Sequence, residues 1–285
     1  MGILQAVCEY ARDRGINIYS VTVADGSGSR TEHIREDSRC RNIYSVAKAF
    51  TMCAAGMLYD EGRLGIRNTM ADIFGTLPCG SDERWRDVTV HDIMRHKTGI
   101  LSNCLDFDCN DIRKLIPDGD VLGYILRTPL DGQTGITYAY SDAAYYLLSR
   151  IVSRLTGVTL CEYLREKLFI PLECGEYAWS VCPHGYSTGG SGLYISCEDM
   201  TKLGTLWLGG GLYNGKRVIS GEWTELALKN NYAFSPRECT EGGYYKTGML
   251  GQLLYFSYKD GYSLGIQSYE PSGRLSELVD ALLVT

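Results

Sequence analysis

Between Ala49 and Leu58 the chain offers water almost no polar face. Ala49, Phe50, Met52, Cys53, Ala54, Ala55, Met57 and Leu58 are apolar nearly all round a helical wheel. That pattern describes a helix enclosed on every side in the middle of a domain. Gly62 then ends it. Immediately upstream stands Ser45-Val46-Ala47-Lys48. If this segment opens the helix, a spacing of three puts hydroxyl and amine on one face, one turn apart and within hydrogen-bonding reach. A serine is a poor nucleophile until a base takes its proton, and an amine is that base only where its surroundings hold it neutral. Ser-x-x-Lys alone arises about once by chance in a chain of this length, so the remaining residues must decide its meaning.

Size and charge narrow the classes. At 285 residues the chain can bury one large core or two lobes sharing a cleft. No stretch approaches the length of a membrane span. A net charge of −6 and a pI near 5.3, with no run of Lys or Arg, argue against nucleic acid or an anionic membrane as partner. The eleven cysteines are scattered, and none forms Cys-x-x-Cys. In a chain large enough to fold without staples, they read as reduced thiols, mostly small core residues. The first residues lack a basic n-region and meet Glu9 before a signal core could form. A cytoplasmic location is the expectation; export, with a signal removed, is the alternative.

Patterning predicts a fold with strands at both ends. Residues 2–14 form an amphipathic helix closed by Gly15. Asn17 to Ala24 and Arg30 to Arg35 form a hairpin about Asp25-Gly26-Ser27-Gly28. From Gly62 to about 185 come helices joined by polar loops: a short one at Asp92-Ile93-Met94, then Val121 to Leu126, Ala143 to Leu155 and Cys161 to Phe169. A helix over Met200 to Leu208 breaks at Gly209-Gly210-Gly211. Tyr244 to Tyr258 and Tyr262 to Tyr269 flank Lys259-Asp260-Gly261 as a second hairpin, followed by a helix marked by Leu275, Leu278, Val279 and Leu282. The expected fold is α+β: one antiparallel sheet built from both termini and flanked by helices, with a helical lobe inserted. The sheet lobe covers about 1–62 and 186–285, and the helical lobe about 63–185.

Two further clusters carry chemistry. Tyr138-Ala139-Tyr140-Ser141-Asp142 sits at a loop-to-helix junction, where Asp142 can be an N-cap and Tyr140 can present a phenol whose pKa nearby ammonium groups would lower. Lys246-Thr247-Gly248 lies in the first strand of the C-terminal hairpin. Lys246 there could hold a carboxylate, Gly248 allows close backbone approach, and the next N–H, at Met249, could donate to an oxyanion. Lys97-Thr98-Gly99 repeats the tripeptide but follows a helix, so no strand presents it. Asp106-Phe107-Asp108-Cys109-Asn110-Asp111 imitates the start of a calcium loop, but Asp111 replaces the required glycine and Pro117 stands where the bidentate Glu belongs. It reads as a solvated acidic loop. His91 and His96, five apart, would not share a helix face, so no zinc site is expected.

Taken in order, Ser45-Val46-Ala47-Lys48, Tyr140-Ser141-Asp142 and Lys246-Thr247-Gly248 resemble the three signatures of the penicillin-recognising serine hydrolases. The tyrosine-bearing second motif resembles that of class C β-lactamases, the related D,D-peptidases and D-aminopeptidases, and esterases of the same fold. Asp60-Glu61-Gly62-Arg63-Leu64, Val88 to Ile100, Ser187 to Leu193 and Gly209 to Ser220 resemble other segments of that family. The resemblance implies a β-lactamase/transpeptidase-like fold and no metal or organic cofactor. It also implies an acyl-enzyme on Ser45, with Lys48 and Tyr140 handling the proton, the N–H groups of Ser45 and Met249 holding the oxyanion, and Lys246, Thr247 and Gly248 lining the substrate strand. The partner is then a small ester, amide or peptide.

One departure matters. The third residue of the second motif is usually Asn, whose amide donates; Asp142, if ionised, only accepts. It could pair with Lys48, raise the lysine's pKa and shift base duty to Tyr140. Ser141-Asp142 also resembles the opening of the Ser-Asp-Asn form, with Ser141 as relay, but Ala143 breaks it. A weakly catalytic penicillin-binding or sensor protein is the competing expectation.

Overall fold

The computed structural model describes residues 2–35, 39–101, 105–237 and 241–282. Its internal contacts divide it into two units. The first comprises Met1–Val46, Phe169–Ala178 and Leu193–Thr285; the second comprises Ala47–Leu168 and Trp179–Gly192. The expected lobe boundary near residue 62 therefore falls earlier, after Val46. The reason is packing: the Ala47–Asp60 helix lies against the Asp142–Thr156 and Leu160–Leu164 helices.

The strands are β1 (Ile18–Asp25), β2 (Gly28–His33), β3 (Arg41–Asn42), β4 (Tyr177–Trp179), β5 (Leu193–Ile195), β6 (Leu212–Tyr213), β7 (Lys216–Arg217), β8 (Ser235–Pro236), β9 (Gly243–Gly248), β10 (Gln252–Ser257) and β11 (Tyr262–Ser268). In the first unit six of them form one sheet, ordered β2-β1-β11-β10-β9-β8, and every pairing is antiparallel. The two ends of the chain meet in its centre, with Val21 opposite Ile266 and Val23 opposite Leu264. Under one face lies a core of Val7, Cys8 and Ala11 from the Ile3–Arg14 helix, Leu275 and Leu278 from the Arg274–Leu282 helix, and Ile18, Val21, Val23, Leu253, Tyr255, Leu264 and Ile266. Each such buried aliphatic side chain contributes about 1.5–3 kcal/mol. The Cys197–Leu208 helix covers the other face, and two glycines let it close in. A Cβ on Gly204 would come within 2.9 Å of Ser263 Cβ, and one on Gly265 would overlap the Thr201 hydroxyl.

The C-terminal hairpin is richer than the alternation of Tyr244 to Tyr258 suggests. The chain turns back at Met249–Gly251, so that β9 and β10 are two antiparallel strands with Lys246 opposite Leu254. Leu250 (φ 60°) and Gly251 (φ 85°) make that turn in left-handed conformations. Lys246-Thr247-Gly248 thus sits in a strand preceding the β10–β11 hairpin.

In the second unit the Ala47–Asp60 helix is buried from Ala47 through Leu58, and that stretch includes Lys48 and Thr51. Three short helices of this unit are opened by capping boxes, Thr69 with Asp72, Thr89 with Asp92, and Thr159 with Glu162, and the last of them packs against the Ala47–Asp60 helix. The expected helix over Cys161 to Phe169 is α-helical only through Leu164, then widens into a π turn. Of the nine described cysteines, only Cys8, Cys53, Cys182 and Cys197 are buried, so most are not core residues. All nine are free thiols, and no described helix is long and apolar enough to cross a membrane.

Candidate active site

The helix begins two residues later than the spacing suggests. Tyr44–Val46 forms a single 3₁₀ turn that runs directly into the Ala47–Asp60 helix. Its entry is fixed locally: Tyr44 adopts φ 47°, its N–H donates to Asn42 Oδ1 at 2.9 Å, and Val46 N–H donates to the Ile43 carbonyl at 3.1 Å. Ile43 N–H in turn donates to Leu193 O at 2.9 Å, tying the turn to β5. Ser45 is half-buried at the point where helical N–H groups have no intrahelical partner.

In the same unit β9 ends against this turn. A Cβ on Gly248 would collide with the Ile43 carbonyl and lie 3.2 Å from the Ser45 nitrogen. With φ −124° the backbone would accept any residue, so glycine serves close approach here. Lys246 and Gly248 are half-buried, while Thr247 and Met249 are exposed.

The second unit holds Lys48. Its side chain is fully buried, with Nζ donating to Asp142 Oδ1 at 2.5 Å and to the Gly190 carbonyl at 2.8 Å. Nζ also lies 4.8 Å from the Tyr140 ring centroid and 5.6 Å from that of Tyr145. Burial alone would lower the lysine's pKa. The Asp142 charge, then Tyr140 and the hydrogen bonds to both, override it and leave the pKa raised. Lys48 is therefore an ammonium in the resting protein and cannot accept a proton until it loses one.

The Tyr140 side is organised by residues the motif reading passed over. His96 stacks on the Tyr140 ring at 4.4 Å and 30°, packs against Tyr145 at 5.1 Å, and accepts the Ser141 N–H on Nδ1 at 3.2 Å. His96 lies within the Val88 to Ile100 segment, whose sequence carries no signal for stacking on a tyrosine. Gly190 was equally visible in the glycine-rich loop, but no residue pattern reports which carbonyl faces an amine. Its neighbour Gly189 accepts the Thr51 hydroxyl at 2.7 Å, and a Cβ on Gly190 would lie 2.9 Å from Asp142 Oδ1.

Ser141, not Asp142, is the N-cap of the Asp142–Thr156 helix, its hydroxyl accepting the Ala143 N–H at 3.0 Å. Asp142 is the first helical residue, which frees its carboxylate for Lys48. The acidic loop is also less solvated than its composition suggests: Asp106 and Asp108 are half-buried, and their carboxylates and that of Asp142 lie within 4.8 Å of one another. Lys97-Thr98-Gly99 lies in no strand, and Thr98 is buried.

With this geometry in hand, comparison with known proteins is decisive for kinship. The profile of the family described as Beta-lactamase matches residues 6–268. The chain belongs to the beta-lactamase family. A 6-aminohexanoate-dimer hydrolase of Paenarthrobacter ureafaciens is 32% identical over 196 residues, 65% of this chain and 50% of that protein. An N-acetylmuramyl-L-alanine amidase of Bacillus subtilis (strain 168) is 26% identical over 161 residues, 52% of this chain and 36% of that protein. The matches thus span half or less of these curated relatives' length. A solved structure from Bacillus anthracis, provisionally described as a 6-aminohexanoate-dimer hydrolase, superposes with a TM-score of 0.80 at 17% identity, covering 97% of this chain and 80% of that one. The fold is β-lactamase/transpeptidase-like, as the motif order implied.

Proposed function

We propose that this beta-lactamase-family chain is a serine hydrolase that opens a small amide or ester through an acyl-enzyme on Ser45. The observation that carries the reading is the environment of Lys48: a buried ammonium held by Asp142 and the Gly190 carbonyl beneath the Tyr140 ring. Such an ammonium favours the phenolate of Tyr140, which then serves as the general base. Tyr140 takes the Ser45 hydroxyl proton as Oγ bonds to the substrate carbonyl carbon. The electron pair moves onto the carbonyl oxygen, which the N–H groups of Ser45 and Met249 receive. Collapse expels the amine or alkoxide, which takes the proton from Tyr140. The phenolate thus restored takes a proton from water as the water oxygen bonds to the acyl carbon; collapse breaks the bond to Ser45 Oγ, which takes that proton back from Tyr140, releasing the acid. Lys246 orients an anionic end of the substrate, and no step requires a metal or organic cofactor.

Amides are the favoured class, because two relatives carry amide-hydrolase names. Asp142 weighs against acylamide side chains of the penicillin type, since an ionised carboxylate in place of an amide cannot donate to their carbonyl. The test is to mix protein with a p-nitrophenyl ester and, separately, a fluorescent penicillin, following product release and protein mass. Ester turnover that Ser45→Ala abolishes, with no lasting penicillin adduct, is expected. A persistent penicillin adduct on Ser45 without turnover would make the protein a binding or sensor molecule instead, and near wild-type turnover by Ser45→Ala would remove the serine from the chemistry.

A further inference from the structure

Away from the residues assigned to catalysis, the second unit contains a cavity of about 500 Å³ lined by Phe74, Leu122, Arg150, Ser153, Arg154, Gly157 and Tyr186. No carboxylate is among the lining residues. The two arginines lie one turn apart on the Asp142–Thr156 helix, a like-charge pairing that destabilises a helix unless something offsets it. Among the described residues neither has an acidic partner, and each is held by neutral groups instead. The Arg150 guanidinium lies 3.5 Å from the Tyr186 ring centroid, and its Nη1 donates to the Tyr146 hydroxyl at 3.2 Å. Its Nε is buried without a hydrogen-bond partner. Arg154 Nε donates to the Ile73 carbonyl at 3.4 Å. The negative end of the helix dipole accounts for a cation at Arg154, in the last turn. It does not account for a second, half-buried one at Arg150 stacked on a tyrosine.

We propose that this cavity is a binding site for an organic phosphomonoester. Two guanidinium groups match a dianion in charge and present planar forks suited to phosphate oxygens. The Ser153 hydroxyl, which donates to the Ser149 carbonyl at 3.1 Å, would have to rotate its proton towards the anion to contribute. Phe74 and Leu122 supply apolar walls for the organic group, and the volume falls in the range of small-molecule sites, about 300–1,000 Å³. Arg150 and Arg154 lie eight and twelve residues along the helix from Asp142, roughly 12 and 18 Å at the helical rise. The site is thus separate from the groups assigned to hydrolysis.

Calorimetric titration of the whole protein with inorganic phosphate and with phenyl phosphate, at ionic strength fixed by chloride, tests this. Phenyl phosphate binding more tightly than phosphate is expected, with Arg154→Gln weakening both at least about tenfold, or about 1.4 kcal/mol. Ester turnover by Arg154→Gln should match wild type, which also reports that the variant is folded. Ser153→Asp, which places a carboxylate in the cavity, is the second variant and should abolish binding of both anions. Absence of binding by wild type up to about 10 mM overturns the proposal. So does phosphate affinity unchanged by both substitutions.

Discussion

Replacing Asp142 by Asn keeps the side chain's shape and removes its charge, leaving Lys48 fully buried without the carboxylate, beside Tyr140 and the Gly190 carbonyl at 2.8 Å. Breaking a buried ion pair by removing one partner costs about 3–5 kcal/mol, because the remaining charge stays desolvated. Asn Oδ1 can still accept from Nζ, so a loss just below that range, about 2–3 kcal/mol, is expected. For a protein of this size that lowers Tm by about 3–5 °C. The pH dependence has a definite sign. In the native protein the lysine's folded pKa is raised, so its contribution is complete below the unfolded value of 10.5 and is lost only as pH climbs through the higher folded one. In Asp142→Asn the carboxylate's raising influence is gone while burial still lowers, so the folded pKa falls relative to the native one and the variant loses less as pH rises towards 10.5. Thermal unfolding at about pH 7 and pH 9.5 should therefore show a gap that narrows with pH. A variant as stable as wild type at pH 7, or a gap that widens, would refute the account of Lys48 as a charged, Asp142-dependent group.

Three other outcomes follow from the same geometry. Tyr140→Phe should lose about 100-fold or more in ester turnover, as expected when a general base is removed, with Tm nearly unchanged because Tyr140 is 40% exposed; an unaltered rate would return base duty to Lys48. Gly248→Ala should cost about 1–3 kcal/mol of stability through its collision with the Ile43 carbonyl, together with a drop in turnover of about 100-fold as the Ser45 turn shifts; both are read by thermal melts and initial rates. Glu270 is buried, which alone would raise its pKa, but the Ser272 hydroxyl, the Asn17 N–H and Arg274 hold it down at about 2. Its contribution is thus present above the unfolded value near 4.5 and is lost as pH falls through about 2, and Glu270→Gln should abolish that part of the acid unfolding profile.

The sequence carried the architecture well because its signals are periodic. The apolar helix after Ser45, the strands at both ends and the helices between them are encoded in spacing, and so is the order of the three motifs. What escaped was set by backbone geometry. The reversal at Met249–Gly251 interrupts a run whose alternation continues on both sides, since Leu250 carries the left-handed conformation that glycine usually announces. The lobe boundary moved because a helix buried on all sides says nothing about which neighbours bury it. At the site, Asp142 was legible as a departure whose pairing with Lys48 could be anticipated from charge. His96 and the Gly190 carbonyl were not, because stacking on a tyrosine and the direction of a carbonyl depend on tertiary placement. The split of capping duty between Ser141 and Asp142 was equally hidden, both being ordinary caps.

The pairing of β1 with β11 also governs how the protein can be made. Val21 and Ile266 are neighbours in the sheet but 245 positions apart in the chain (266 − 21). At about 5–20 residues per second, the ribosome needs roughly 12–50 s after Val21 to deliver its partner. Throughout that interval Ile18 to Ala24, seven residues without a charge, has only β2 beside it. Its other edge stays open to any strand that arrives, including that of a second nascent chain. Yield on expression should therefore respond to translation rate and to chaperones that cover such edges, independently of the stability the finished sheet attains.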